Sequence, residues 1–512
     1  MTVIGLTSND SSTRASEGDL RDSTAAALRR WPSAGVAVAV VRGDTPVQYF
    51  CQGVADVTSG RRIGEDTVFR IGSLTKTITA VAVMQLCERG LVDLDAPANE
   101  YLRAFRLVPV SAGFGPATVR HLLTHTAGVG FWRRRSDLLL HPGAGSGVTA
   151  RSVVPLPGYY RGGLTVDVEP GTRWAYSNHG FAALGQIVED VSGESFGQYL
   201  RDHIFGPLGM HHTGLALSEQ LRADLATGYT LRRRGLRPVT PREVPCPAGG
   251  GVYSTPADMA RYLTALLRGG ANQHGRVLTA DSVRTLFRPH FQPDPRVAGM
   301  ALGFEPRTER GRVLIGKGGT LNGFLSALEM APEAGVGVVV LANTGGLDNR
   351  GVPESLAAAL TRRLLGMPGN PVRNDVAPHP EVWDAVRGWY APDAGPVTNL
   401  FARVGFGAGV EVAVRRRRLV LAPLTPVPGL RAPMVLHPDD PEDPRVYRVE
   451  FREYDKTWRV VFTQDTPPRL LLDVMSFQKR PDWKNPRRWA AGIAVAGAAA
   501  AAVRQRGGRG SP

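Results

Sequence analysis

The first helix start predicted for this chain reads Ile71-Gly72-Ser73-Leu74-Thr75-Lys76. Ser73 and Lys76 are three positions apart, so on a helix their side chains share one face, with Cβ atoms about 5–6 Å apart. A neutral lysine amine at that distance can take the proton of the serine hydroxyl. The positive end of the helix dipole also favours a developing alkoxide at Ser73. The spacing therefore predicts an activated serine nucleophile.

Lysine is rare in this sequence. The 61 basic residues include five lysines, and before residue 456 lysine occurs only at Lys76 and Lys317. Arginine stays protonated near neutral pH, whereas desolvation shifts the pKa of a lysine readily and lets it act as a base. Two lysines isolated in an arginine-rich chain therefore indicate positions that need an amine.

Two later motifs carry groups that can serve such a serine. They are Tyr176-Ser177-Asn178 and Lys317-Gly318-Gly319-Thr320, the second at the end of a predicted strand. A tyrosine near lysines can relay a proton, and an asparagine amide can orient a substrate carbonyl. Glycines on an edge strand let a substrate lie alongside, and the amide of Thr320 can donate to an oxyanion. Taken alone, Tyr176 is better explained as a buried residue beside a helix cap.

The hydrophobic pattern predicts an α+β fold, an antiparallel sheet flanked by helices, with a smaller C-terminal all-β domain. Strands are predicted at 36–41, 47–52, 313–317, 324–330 and 336–342, and helices at 74–89, 181–191 and 257–267. Strands at both ends of this region with helices between them favour one antiparallel sheet. Short apolar runs alternate with turns from 382 to 480, which is typical of a small barrel or sandwich.

These patterns divide the chain into five segments. Residues 1–24 are polar and are predicted to be a disordered lead-in. Residues 25–365 form the main domain, 366–381 a Pro-, Gly- and Asn-rich linker, 382–480 the β domain, and 481–512 an Ala- and Arg-rich tail.

The net charge of +15 invites a nucleic-acid interpretation. The tight arginine runs at 133–135, 232–234 and 415–418 lack interleaved aromatic residues, so we expect solvated surface and no nucleic-acid partner.

The first 22 residues contain no apolar signal core, which predicts a cytoplasmic protein. The apolar stretch Trp489–Val503 would form a helix of about 22 Å. That length falls short of the roughly 30 Å hydrocarbon core of a bilayer. Membrane association through this tail is therefore an alternative that the sequence does not favour.

Two spacings in the sequence resemble those of other kinds of site. Gly311, Gly316 and Lys317 have the spacing of a phosphate-binding loop, but Gly318 follows where Ser or Thr is required. His121 and His125 have the spacing of a zinc-protease helix, but Leu122 occupies the place of its glutamate. No metal or cofactor is therefore expected.

Taken in order, the three motifs resemble those of serine hydrolases related to penicillin-binding proteins and class C β-lactamases. Tyr176-Ser177-Asn178 stands where some relatives carry Ser-Asp-Asn, and Lys317-Gly318-Gly319 where they carry Lys-Thr-Gly. Segments 121–128, 205–210 and 248–255 look like further family segments. The resemblance extends over about residues 25–365, and the C-terminal region is loosely similar to a lipocalin-like appendage of some members.

The resemblance implies that Ser73 attacks an acyl carbonyl and that Lys76 and Tyr176 share the acid–base work, in a division that the sequence leaves open. It implies that Lys317 supplies positive charge near Tyr176, and that Asn178, Gly319 and Thr320 bind the substrate. Backbone N–H groups of Ser73 and Thr320 would form the oxyanion hole.

Gly318 departs from the family pattern because it lacks the hydroxyl of Lys-Thr-Gly. We therefore expect an esterase acting on small acyl esters. The alternatives are a D-amino-acid peptidase or β-lactamase, and a non-catalytic ligand-binding protein on the same fold. The sequence makes no prediction of oligomeric state.

Overall fold

The computed structural model describes residues 17–30, 32–133, 155–232, 234–241, 243–345, 352–368, 372–393, 395, 398–425, 431–451 and 456–487. The chain divides into two compact units. The first runs to residue 371, and the second includes most of the chain from residue 372. This division lies inside the segment predicted as the linker.

The first unit contains twelve strands among its described residues. They are β1 Gly35–Arg42, β2 Gln48–Gly53, β3 Phe69–Arg70, β4 Leu107–Pro109, β5 Leu164–Val166, β6 Tyr229–Arg232, β7 Gly235–Pro238, β8 Tyr253–Ser254, β9 Glu305–Glu309, β10 Arg312–Leu321, β11 Phe324–Ala331 and β12 Val336–Ala342.

Its described α-helices lie before, between and after these strands. They are α1 Glu17–Arg30, α2 Thr75–Glu88, α3 Ala98–Tyr101, α4 Val119–Leu123, α5 Leu156–Tyr159, α6 Asn178–Ser192, α7 Phe196–Leu200, α8 Glu219–Asp224, α9 Pro247–Gly250, α10 Pro256–Leu267, α11 Ala280–Phe287 and α12 Val352–Leu364. Short 3-10 turns span Gly72–Leu74 and Pro332–Ala334, and a π-helical turn spans Arg201–Phe205.

The central sheet has six strands in the order β2-β1-β12-β11-β10-β9, and every neighbouring pair is antiparallel. Strands from the two ends of the unit therefore meet at its centre, where Val36 of β1 faces Ala342 of β12. The predicted α+β fold, with its antiparallel sheet flanked by helices, is confirmed.

Both faces of the sheet are buried because helices cover each of them. Along β1, Ala37 and Ala39 belong to the large core on one face. Val36, Val38 and Val40 belong to a second core on the other face. This period-2 division explains why β1 is apolar throughout and does not alternate with polar residues.

The predicted disorder of residues 1–24 is wrong for residues 17–24, which belong to α1. Leu20 is fully buried and packs in the second core with Leu356 and Leu360 of α12. Ala27 and Leu28, seven and eight positions after Leu20, pack against the same core, so α1 has one apolar face that average composition hides. Residues 1–16 lie outside the described part of the chain.

The second unit is a closed eight-stranded barrel, in the order β13 to β20, and it confirms the predicted C-terminal all-β domain. Its strands are β13 Gly388–Pro392, β14 Val410–Arg415, β15 Arg418–Pro423, β16 Met434–Pro438, β17 Val446–Phe451, β18 Lys456–Phe462, β19 Arg469–Leu472 and β20 Met475–Arg480. Helices α13 Trp383–Val386 and α14 Leu400–Phe406, with 3-10 turns at Pro380–Val382 and Asp482–Lys484, complete it.

Across the described ranges, no helix combines the length and hydrophobicity needed to cross a membrane. The apolar segment 489–503 lies outside those ranges.

Candidate active site

Ser73 lies in the 3-10 turn that leads directly into α2. The preceding residue, Gly72, has φ +51, and a Cβ there would stand 3.1 Å from the backbone nitrogen of Thr320. Glycine is needed at this position for its left-handed backbone and for the close approach of β10. The hydroxyl of Ser326 on β11 donates to the Ile71 carbonyl at 2.7 Å and ties the serine turn to the sheet.

Gly319 permits the same close approach from the side of the sheet. A Cβ on Gly319 would lie 2.2 Å from Ser326 Oγ, 2.4 Å from the Ile71 carbonyl oxygen and 3.2 Å from the backbone nitrogen of Ser73. The serine turn and β10 therefore meet backbone to backbone, which places the chain at Ser73 beside the chain at Thr320.

The Ser73 hydroxyl contacts both predicted acid–base groups. Its Oγ lies 2.6 Å from the Tyr176 hydroxyl, and Lys76 Nζ donates to it at 3.1 Å. Lys76 Nζ also donates to Asn178 Oδ1 and to the Gly249 carbonyl, each at 2.6 Å. Three oxygen partners thus fix the amine against the serine.

Asn178 reaches the site because it is the first residue of α6. Ser177 caps this helix by accepting a hydrogen bond from the Gly180 N–H at 3.0 Å. The helix start thereby holds the Asn178 side chain toward Lys76, and Tyr176, two residues earlier, lies over the serine.

Burial and mutual charge shift the titration of Lys76 and Tyr176. Lys76 is fully buried, which lowers its pKa, and the positive charge of Lys317 adds to this effect although Tyr176 opposes it. Burial raises the pKa of Tyr176, but the charges of Lys76 and Lys317 outweigh burial, so its pKa falls below the usual value. Both shifts favour sharing of one proton between the two groups.

Lys317 responds in the opposite direction. Burial lowers its pKa, but the ion pair with Glu305 and the nearby Tyr176 outweigh burial and raise the pKa above its ordinary value. Lys317 therefore keeps its proton to a higher pH than Lys76 does. The site residues predicted from the sequence all lie together here: Ser73, Lys76, Tyr176, Asn178, Lys317, Gly319 and Thr320.

A beta-lactamase family model matches residues 25–362 of the chain. The chain belongs to the beta-lactamase family. It is 31% identical over 347 residues to penicillin-binding protein 4 of Amycolatopsis lactamdurans, an alignment that covers 65% of this chain and 85% of the relative. It is 34% identical over 231 residues to esterase EstB of Burkholderia gladioli, covering 44% of this chain and 58% of EstB.

A solved structure, the octameric penicillin-binding protein homologue from Pyrococcus abyssi, aligns with a TM-score of 0.58 over 90% of this chain and 99% of that one. At 23% identity this likeness shows a shared fold. The resemblance predicted from the motifs is confirmed, and the chain is a serine hydrolase of the beta-lactamase family.

His125 is a site neighbour to which the sequence assigned no role. It has φ +59, its Nδ1 accepts from the Ser177 N–H at 3.1 Å, and its ring centroid lies 4.5 Å from that of Tyr176. Full burial, reinforced by Lys317 and Lys76, holds the pKa of His125 well below its usual range, so the imidazole is neutral. The segment 121–128 was recognised as family-like, but its packing beneath Tyr176 has no signal in the sequence.

His121, four positions before His125, lies at the start of α4 and not beneath Tyr176. Its Nδ1 accepts from the Thr118 N–H at 3.2 Å and closes a capping box at the start of α4. Within the described part of this family member, no group of three or more His, Cys, Asp or Glu residues could hold a metal ion.

Glu305 is the second neighbour that the sequence did not identify. It reaches Lys317 because β9 and β10 pair antiparallel, with Glu305 opposite Gly316. Glu305 lies twelve positions before Lys317 and forms no recognisable sequence motif with it. The ion pair follows from the strand register.

Proposed function

We propose that this protein is an esterase that hydrolyses small acyl esters through an acyl-enzyme on Ser73. The observation that carries the proposal is that Ser73 Oγ contacts Tyr176 and Lys76 at the same time. Burial lowers the pKa of Lys76. A hydroxyl held between two proton-accepting groups is the arrangement of an activated nucleophile.

In the first half-reaction, Ser73 Oγ attacks the ester carbonyl carbon and its proton passes to the Lys76–Tyr176 pair. The N–H groups of Ser73 and Thr320 stabilise the resulting oxyanion. The bond from the carbonyl carbon to the alcohol oxygen then breaks, and the pair returns the proton to the departing alkoxide. Lys317 remains protonated and favours the ionised form of Tyr176.

In the second half-reaction, a water molecule attacks the acyl carbon and gives its proton to the same pair. The bond to Ser73 Oγ breaks, the acid departs and the serine regains its proton. Each step uses protein groups and water alone, so the proposal needs no cofactor.

The edge of β10 offers a place for the substrate. β9 pairs with β10 from Arg312 to Gly316, whereas β10 continues to Leu321. The stretch from Lys317 to Thr320 lies beyond this pairing, beside the serine turn. A small acyl group can therefore lie along Gly319, with Asn178 at its other side.

Two features favour an ester over a β-lactam or a D-alanyl peptide. Gly318 supplies no hydroxyl for a substrate carboxylate, and one relative is named as an esterase. Relatives named as a D-alanyl-D-alanine-carboxypeptidase/endopeptidase and as a beta-lactamase keep peptidase and β-lactamase activity as the second candidate. The intact contacts of Ser73 argue against a non-catalytic binding protein.

Two measurements test the proposal. A slowly hydrolysed acylating probe should add one adduct in intact-mass spectrometry, and Ser73→Ala should abolish it; an adduct that persists in Ser73→Ala excludes Ser73 as the nucleophile. Short-chain p-nitrophenyl esters should give a higher kcat/KM than nitrocefin or a D-alanyl-D-alanine peptide. A higher value for nitrocefin would reverse the substrate assignment.

A further inference from the structure

A carboxylate occupies the space beside Gly318. Glu354 lies in the first turn of α12, and a Cβ built on Gly318 would stand 1.7 Å from Glu354 Oε1 and 2.6 Å from its Cδ. The backbone of Gly318 is not left-handed, so conformation does not require glycine here. Any larger residue at position 318 requires Glu354 to move.

The two faces of β10 explain how this contact arises. Lys317 and Gly319 face the serine turn, so Gly318 faces the opposite side of the sheet, where α12 packs. Gly318 is paired with Ala327, which lies in the same core as Leu356 of α12. Glu354 is therefore held against the strand from the helical side.

A second contact fixes the direction of α12. Two turns after Glu354, Arg362 donates from Nε to Glu309 Oε1 of β9 at 2.6 Å. Both groups are buried, so the pair holds the far end of the same helix face against the sheet. Eight residues correspond to about 12 Å along a helix, which places Glu354 at the end of β10 nearest the site.

Among the described residues near this part of the sheet, Lys317 and Arg307 already have carboxylate partners. The protonated Lys317 is already paired with Glu305. Arg307, on the neighbouring strand β9, is paired with Glu329. Glu354 then adds a carboxylate against Gly318, in the middle of the strand edge proposed to bind the substrate. A substrate along that edge lies in the plane of the sheet and so comes within reach of groups on either face.

From this geometry we infer that Glu354 determines specificity: it selects esters that are neutral or cationic beside Gly318 and rejects those that carry a carboxylate there. The inference rests on the proposed esterase function and deepens it by naming the charge class of the substrate. Because like charges a few ångströms apart repel strongly near a protein surface, we expect a discrimination of roughly tenfold or more.

Two matched series of esters test the inference, one for each side of the scissile bond. The first contains p-nitrophenyl pentanoate, mono-p-nitrophenyl glutarate and the p-nitrophenyl ester of 4-trimethylammoniobutanoate. The second contains the thioacetates of 3,3-dimethylbutanethiol, 3-mercaptopropanoate and thiocholine. We expect the anionic member of at least one series to have the lowest kcat/KM for the wild-type protein.

Glu354→Gln keeps the shape of the side chain and removes its charge. In the series that shows discrimination, this variant should raise kcat/KM for the anionic ester relative to the cationic ester by roughly tenfold. Most of the change should come from KM. The neutral ester should stay nearly unchanged. Glu333→Gln, at an exposed carboxylate in the turn between β11 and β12, is the matched control and should leave the ratio unaltered. Equal ratios in wild type and Glu354→Gln in both series would overturn the inference.

Failure of the proposed function is recognised separately. If the wild-type protein turns over none of the neutral esters, the esterase assignment is wrong, whatever Glu354 does. The charge preference is then measured without turnover, as protection of Ser73 from an acylating probe by phenylboronic acid and its carboxylate and trimethylammonium derivatives. Weaker protection by the carboxylate derivative, relieved in Glu354→Gln, supports the inference, and equal protection by all three contradicts it.

Discussion

Lys76 and Lys317 both approach the ring of Tyr176, with Nζ 4.9 Å and 5.3 Å from its centroid, yet their pKa values shift in opposite directions. Lys76 has neutral oxygen partners and loses hydration through burial, so its pKa falls. Lys317 has the Glu305 carboxylate, so its pKa rises. The proposed mechanism therefore assigns proton transfer to the Lys76–Tyr176 pair and a fixed positive charge to Lys317.

The first prediction concerns basicity at position 76. Lys76→Arg should be nearly as damaging as Lys76→Ala, because a guanidinium keeps the charge but cannot accept the serine proton. Each should lower kcat/KM for a short p-nitrophenyl ester by roughly two to four orders of magnitude. Circular dichroism establishes that the variants are folded. Near-normal turnover by Lys76→Arg would show that charge, and not basicity, matters.

The second prediction concerns pH. Activity should rise with pH, because the Lys76–Tyr176 pair can act as a base only after it has lost one proton. Both pKa values are lowered, which favours that loss. Lys317 lowers both of them, so Lys317→Met should move the ascending limb of kcat/KM to higher pH. The profile is measured with one neutral ester across the neutral and alkaline range. A limb that stays in place would remove Lys317 from the electrostatics of the pair.

The third prediction concerns His125. Replacing it by Phe leaves the buried Ser177 N–H without its acceptor, which should lower the free energy of unfolding by about 1–3 kcal/mol. His125→Asn retains a polar side chain that tolerates the left-handed backbone and should lower it less. Urea denaturation gives the stability of each variant. Ester turnover should fall with the loss of support beneath Tyr176, and identical stability of the two variants would argue against the hydrogen bond as the cause.

The fourth prediction tests the contact between Gly318 and Glu354 without reference to catalysis. Gly318→Ala should destabilise the protein, since the new methyl group meets the Glu354 carboxylate. Glu354→Ala opens that space, so the double variant should recover most of the loss. Thermal unfolding of the wild type, both single variants and the double variant gives the coupling energy. Strictly additive effects would mean that the two residues do not compete for the same space.

The sequence was sufficient where function depends on short spacing. Ser73 and Lys76 are adjacent on one helical face, and Lys317 stands out because lysine is so rare. It was insufficient where partners come from distant strands or helices. The pairing of Lys317 with Glu305 depends on strand register, and the contact of Glu354 with Gly318 depends on where α12 crosses the sheet. Helix α1 was missed because its average polarity concealed one apolar face.

The meeting of β1 with β12 has a consequence for biogenesis. These neighbours are separated by some three hundred residues of chain, and β10, which meets the serine turn backbone to backbone, is made just before β12. Contacts between such distant segments form slowly because a large loop must close first. A ribosome-bound chain that has released Ser73 and Lys76 but not β10 has no partner for the serine turn. Reactivity of Ser73 toward a probe should therefore appear late in synthesis. Labelling of Ser73 would then report when the first unit has been completed.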